Sequence, residues 1–151
     1  DLMASIGKKP AKIKKESLGF VGNRMQLALL REAFNIINEG IADAETVDTV
    51  VRYSLGRRWN LVGPVASADL GGLDTFYNIS TYLFKDMDNG TEPSPLLAWK
   101  VQDGNLGTKT GRGFYEWQGE DGQRIIRERD EQLMQQLAED AAVENADCKS
   151  E

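Results

Sequence analysis

Residues 25–40 read MQLALLREAFNIINEG, and this segment limits more than any other what the chain can become. Met25, Ala28, Leu29, Ala33, Ile36 and Ile37 share one face of a 3.6-residue helix, and Leu27, Leu30, Phe34 and Ile37 form an adjoining face. A helix apolar over so much of its circumference must be covered on two sides. It is a central helix, or it meets a core on one side and a partner on the other. Gly40 supplies a natural stop.

The rest of the chain repeats the helical pattern with short connections. Asp43 is placed to cap a helix carrying Val47, Val50, Val51 and Leu55, with Glu45 in its first turn favouring the helix dipole and Gly56 ending it. GRRWNLVGP reads as a loop. Pro64 suits the first turn of a helix through VASADLGG. Asp74 can cap TFYNISTYLFKDM, where Phe76, Ile79, Tyr82 and Leu83 fall on one side. DNGTEPSP is rich in turn residues, and PLLAWKVQDG is a short helix. NLGTKTGRGFYEW is a glycine-spaced loop running into a short extended end. A charged helix from Gln123 to Val143 carries Ile126, Leu133, Met134 and Leu137, and the last residues fray. At the other end GKKPAKIKK is an extended connector, since Pro10 biases Lys9 away from helix. The expectation is an all-α chain of about six helices.

Composition narrows the chemistry. The 151 residues fit one domain, and 40% are hydrophobic, enough for a core. The net charge is −6. Residues 1–15 carry five lysines against Asp1, so the remainder is strongly acidic. Such a surface lacks the broad basic face that nucleic acid requires. The lysine run reads as a solvated connector. No apolar run approaches membrane-spanning length, and no signal peptide is visible. Cys148, the single cysteine, has no partner for an internal disulfide and points to an intracellular, cytoplasmic protein. The first residue is Asp1, not Met, as expected of a piece of a longer protein.

There is no histidine. That removes the commonest general acid–base at neutral pH and argues against zinc sites and Cys/His or Ser/His pairs. Neither GxGxxG nor GxxxxGK[ST] occurs, so no phosphate cradle of those kinds is encoded.

Few residues remain for chemistry. In ESLGFVGNR, residues 16–24, Asn23 stands where the long helix should begin. It can cap that helix through its own side chain. It can instead point its amide at a substrate oxygen, beside a helix start that already favours negative charge. Arg24 reads as a surface or domain-contact residue. Lys109, in GTKTGRGF, is either a solvated loop lysine or a compact charge for a phosphate that flanking glycines let approach. Asp69 and Asp74 could suggest acid–base work, but a cap and a helix end explain them more simply. Trp59, Trp99, Trp117 and Tyr115 read as core or interface anchors.

The pattern Glu16-x-x-Gly19-Phe20-Val21-x-Asn23-Arg24-x-x-x-Ala28-Leu29-Leu30 resembles the signature of the L-3-hydroxyacyl-CoA dehydrogenase family. GIADAETVDTVV, GRRWNLVGPVASADLGGLD and PSPLLAWKVQDGNLGTKTGRGFYEW extend the likeness, which covers roughly residues 5–117. The resemblance implies the family's C-terminal helical domain, similar to the C-terminal domain of 6-phosphogluconate dehydrogenase, which completes the substrate cleft and forms the homodimer contact. It implies a Rossmann domain upstream that binds NAD and carries a catalytic His and Glu. It makes Asn23 the match to the family's active-site asparagine and Lys109 the match to a lysine implicated in NAD contact. The implied reaction is oxidation of 3-hydroxyacyl-CoA to 3-oxoacyl-CoA, with no turnover by this chain alone. The alternatives are a non-catalytic dimerisation module and a domain of a related hydroxy-acid dehydrogenase of the gulonate type. The implied organisation is a connector to residue 15, a substrate and dimer domain over 16–118, and a charged helix with tail over 119–151, with Gly19 and Gly22 at the joint. One departure stands out. Val62-Gly63-Pro64-Val65 follows an Arg57-Arg58-Trp59 loop where many members have Met-Gly-Pro-Phe, and a related branch oxidises sugar acids such as gulonate.

Overall fold

A computed structural model describes residues 9–147, with side chains as far as residue 142. The described residues form six α-helices and no strand, so the all-α expectation holds. These are α1 (Phe20–Asn38), α2 (Ala44–Val50), α3 (Gly56–Gly71), α4 (Leu73–Leu83), α5 (Pro95–Gln102) and α6 (Gly119–Asp147). A π-helical turn, Val51–Leu55, joins α2 to α3. The helices group into two compact units. One is Gly19–Gly104, with α1 to α5. The other combines the segments ending at Leu18 and beginning at Asn105, and includes α6.

α1 starts earlier than Asn23. Gly19 (φ 77°, ψ 0°) is the capping residue, and Phe20 follows at φ 50°. Two successive left-handed residues turn the chain sharply into the helix. Glycine adopts that conformation freely, whereas a bulky aromatic does so only under constraint. At the other end Gly40 (φ 70°) ends the helix as expected, its N–H donating to Ile37 O at 3.1 Å while Ile41 N–H donates to Ile36 O at 3.0 Å.

Asp43 caps α2 as its sequence predicts. Its backbone is extended, and Oδ1 accepts from Thr46 N–H at 2.8 Å. The expected loop after Gly56 is absent. Gly56 is itself helical (φ −60°, ψ −39°), and the backbone continues through the π-helical turn into α3. The break comes at Gly63 (φ 72°, ψ 167°), directly before Pro64. Proline has no N–H to continue the ladder and disfavours helix at the residue before it, so Gly63–Pro64 interrupts where Gly56 does not. Pro64 then stands in a first turn, as expected. Asp74 is not a cap. Gly72 (φ 89°, ψ 115°) takes the non-helical turn, and Asp74 lies inside the first turn of α4.

Within the first unit, α5 packs on α1. The loop before α5 is tied to α1 as well, with Glu32 Oε2 accepting from Asp88 N–H at 2.9 Å and Arg31 Nη1 donating to Gly90 O at 3.3 Å. Leu30, Ala33, Phe34, Ile36 and Ile37 are accordingly half-buried. Met25 and Leu27, nearer the start of α1, remain 53% and 64% exposed. No apolar side chain is fully buried among the described residues. The cover demanded by the two apolar faces of α1 is therefore only partly supplied from within this unit.

The second unit holds a tightly bridged loop. Gly107 pairs with Arg112, and Arg112 with Glu116. Gly107 N–H donates to Arg112 O at 2.8 Å, and Trp117 N–H to Gly111 O at 2.8 Å. Gly113 passes so close to the Gly107 backbone that a Cβ would lie 2.9 Å from Gly107 Cα. That close approach is what requires glycine at 113.

Candidate functional site

Asn23 is the fourth residue of α1, one turn in from Gly19. The reading of its side chain as a cap is overturned, because Gly19 occupies the capping position and no side chain caps this helix. The Asn23 side chain is exposed, and no hydrogen bond engages it among the described residues. A Cβ added at Gly19 would lie 3.6 Å from both Asn23 Cβ and Arg24 Cγ, so the bare glycine leaves room beside them. The first turn contains no acidic residue to neutralise its free N–H groups. A free amide thus stands one turn from an electropositive helix start. That arrangement can donate to an oxygen gaining negative charge.

Lys109 lies in the second unit, in the turn closed by Thr110 N–H donating to Gly107 O at 3.2 Å. Gly107 (φ 71°) and Gly111 (φ 81°) flank it with left-handed backbone. Thr110 ties the turn together, its Oγ1 accepting from Leu106 N–H at 2.9 Å. Gln118 Nε2 donates to Thr110 O at 3.3 Å. Lys109 is exposed and forms no ion pair among the described residues. Its ammonium is free for an anion. Arg112, in the same loop, is engaged with Glu116 at 2.9 Å.

The remaining sequence candidates separate cleanly. Asp69 closes α3, its carbonyl accepting from Gly72 N–H at 3.2 Å. Tyr115 and Trp117 are half-buried and meet edge to face, with centroids 6.1 Å apart, as anchors do. Trp99 is exposed, with the Lys100 ammonium 5.3 Å from its ring centroid. Arg124, at the start of α6, is held by Glu128 (3.1 Å) and Asp121 (3.4 Å), and hydrogen bonding to these two carboxylates raises its pKa further. It is committed, not available. No group of three or more metal-ligating side chains gathers among the described residues. No helix of the described residues is long and apolar enough to cross a membrane.

The structure adds a feature that motif reading passed over. Arg52 and Arg57 both approach the ring of Tyr53, at 5.5 and 4.8 Å from its centroid. The π-helical turn separates these residues by one extra position, and such turns recur at functional sites. The signal was present in the composition. From Thr49 to Ala68 there are three arginines and not one carboxylate, in a chain with 24 acidic residues.

Comparison with known proteins fixes the family. Residues 19–117 match the model of the 3-hydroxyacyl-CoA dehydrogenase C-terminal domain. The chain belongs to the 3-hydroxyacyl-CoA dehydrogenase family, of which it carries the C-terminal domain. It is 35% identical over 134 residues to the 5-formyl-3-hydroxy-2-methylpyridine 4-carboxylate 5-dehydrogenase of Mesorhizobium japonicum, covering 89% of this chain and 43% of that protein. It is 40% identical over 101 residues to the probable 3-hydroxybutyryl-CoA dehydrogenase of Bacillus subtilis, covering 66% of this chain and 34% of that one. Among solved structures, it superposes with a TM-score of 0.82 on the crystal structure of a 5-formyl-3-hydroxy-2-methylpyridine 4-carboxylic acid 5-dehydrogenase described as an NAD+-dependent dismutase. That match has 34% identity and covers 89% of this chain and 43% of the other. The chain thus spans less than half the length of these relatives.

Proposed function

We propose that this chain is the C-terminal half of an NAD-dependent dehydrogenase that transfers hydride to or from an oxygen-bearing carbon of a substrate carrying a carboxylate. The observation that supports this most directly is the arginine-rich, carboxylate-free join of α2 and α3. The likeness over 89% of the chain to a dehydrogenase of a pyridine 4-carboxylate points the same way.

In this reading Asn23 donates its amide hydrogen to the substrate oxygen and orients it. The start of α1 adds a favourable field as that oxygen gains negative charge. NAD, when bound, accepts or returns the hydride. Lys109 offers its ammonium to a cofactor phosphate, while most of the NAD contact falls to a dinucleotide-binding domain outside this chain. The base that removes the hydroxyl proton is expected to be a histidine of that other domain, a residue type this chain does not contain. The chain alone is expected to show no turnover. The bare apolar half of α1 and the exposed Val65, Leu70 and Tyr77 are expected to be covered in the complete protein by that domain and by a second copy in a homodimer.

A second reading is oxidation of 3-hydroxyacyl-CoA, favoured by the family model and by the 3-hydroxybutyryl-CoA dehydrogenase relatives. Substrate loss and product formation by the full-length enzyme with NAD, followed by chromatography because a dismutation leaves no net NADH, separate the two. The probes are 3-hydroxybutyryl-CoA and 5-formyl-3-hydroxy-2-methylpyridine 4-carboxylate. A higher kcat/KM on the carboxylate supports the first reading, and a higher value on the thioester replaces it with the second.

A further inference from the structure

We infer that Arg58 is the residue that binds the substrate's carboxylate, with Leu61 and Val62 as the apolar floor beneath the rest of the molecule. This inference rests on the carboxylate reading above and names the part of the chain that recognises it.

Three arginines stand within residues 52–58, and their roles divide by what they touch. Arg52 and Arg57 have their guanidinium groups at the ring of Tyr53. Stacking of that kind holds a guanidinium plane and leaves its edge for hydrogen bonding, but it also commits the group. Arg58 is different. It is exposed, and among the described residues it has no ion pair, hydrogen bond or ring contact. An acidic chain normally surrounds its arginines with carboxylates, yet the nearest in sequence are Asp48 and Asp69, each ten or more positions away. Arg58 is therefore free, within the described residues, to take an anion from outside the chain.

The surroundings give the ligand its shape. Residues 58, 61 and 62 lie three and four apart on α3 and share a face. Leu61 is 82% exposed and Val62 44% exposed. Gly63 breaks the helix immediately afterwards, so this face ends at an open step with no side chain at its edge. A cationic fork beside two bare apolar side chains suits a small amphipathic anion, a carboxylate on a flat or aliphatic body. The guanidinium fork takes a carboxylate through two parallel N–H···O bonds, and lysine cannot reproduce that geometry.

The test uses the full-length enzyme with NAD and two probes of matched shape, pyridine-4-carboxylate and pyridine-4-carboxamide, titrated calorimetrically. The wild type is expected to bind the carboxylate at least about tenfold more tightly than the amide. Arg58→Gln is expected to bring the two to within about twofold, and Arg58→Lys to restore part of the preference. A wild type that binds both alike overturns the inference, as does an Arg58→Gln enzyme that keeps the preference. Arg57→Gln serves as the neighbour control, because a preference lost equally there would assign recognition to the cluster's charge and not to Arg58. The turnover comparison keeps the two levels apart. Preferred turnover of the pyridine carboxylate, with an unchanged KM in Arg58→Gln, removes the arginine assignment alone. Preferred turnover of 3-hydroxybutyryl-CoA removes the reading on which it rests.

Discussion

Two glycines in the first unit should respond in opposite directions to the same change. Gly22 is helical, near the start of α1, and a Cβ there meets nothing within 4 Å. Alanine removes glycine's entropic cost in a helix, a gain of about 0.5–1 kcal/mol. Gly63 also has open space around its missing Cβ, but its φ of 72° with ψ of 167° belongs to a region essentially closed to other residues. Alanine there gives no clash, only backbone strain, of about 1–3 kcal/mol. For a chain of this size 1 kcal/mol moves Tm by about 2–4 °C. Gly22→Ala should therefore raise Tm by about 1–4 °C, and Gly63→Ala should lower it by about 2–12 °C. Circular dichroism at 222 nm during heating, at equal protein concentration, reads both. Shifts of the same sign would refute the reasoning, because the local space is open at both sites and only the backbone angles differ. An activity readout adds a second layer. If Gly22 is bare so that substrate can approach Asn23, Gly22→Ala gains stability while kcat/KM falls.

Asn23→Ala in the full-length enzyme should lower kcat by about 10²-fold or more, the usual effect of losing one preorganised donor, with Tm nearly unchanged because the side chain is exposed and unbonded. An unchanged kcat in steady-state assays would remove Asn23 from the chemistry. Lys109→Gln should raise KM for NAD with kcat little altered; an equal KM would return Lys109 to the solvated loop. Asp43 carries a pH-dependent contribution. Hydrogen bonding from Thr46 holds its carboxyl below the usual carboxylate range, so the folded state favours the ionised form. The stabilisation is fully present above the unfolded pKa of about 3.9 and is lost as pH falls through the lower folded value. Asp43→Asn should remove that dependence. Thermal melts of both proteins from pH 6 to pH 2.5 check this, and a stability gap that does not narrow toward low pH would count against it.

Much of the helical framework was legible because its signals are local. The stop at Gly40, the cap at Asp43 and the position of Pro64 depend on a few neighbouring residues and appear where the sequence places them. Three assignments moved. α1 begins at Phe20 because Gly19 and Phe20 turn together, and a left-handed phenylalanine is nothing that propensity announces. The loop expected over residues 56–64 is largely helix, since glycine is a permissive residue and Gly56 takes ordinary helical angles. Asp74 yields the cap to Gly72 for the same reason. In each case glycine left the local choice open and the packed chain made it.

By itself the sequence determines the all-α class, the lack of any histidine base and the family signature around Asn23, because composition and helical period do not depend on how the helices pack. It also marks Lys109 as a cation between glycines. Only tertiary structure separates free groups from committed ones. It frees the Asn23 amide by assigning the cap to Gly19, locks Arg124 between two carboxylates, and turns Arg52 and Arg57 onto Tyr53 while Arg58 keeps no partner among the described residues. Residue type fixes what a side chain can bond, and only the three-dimensional neighbourhood determines whether that capacity is already used.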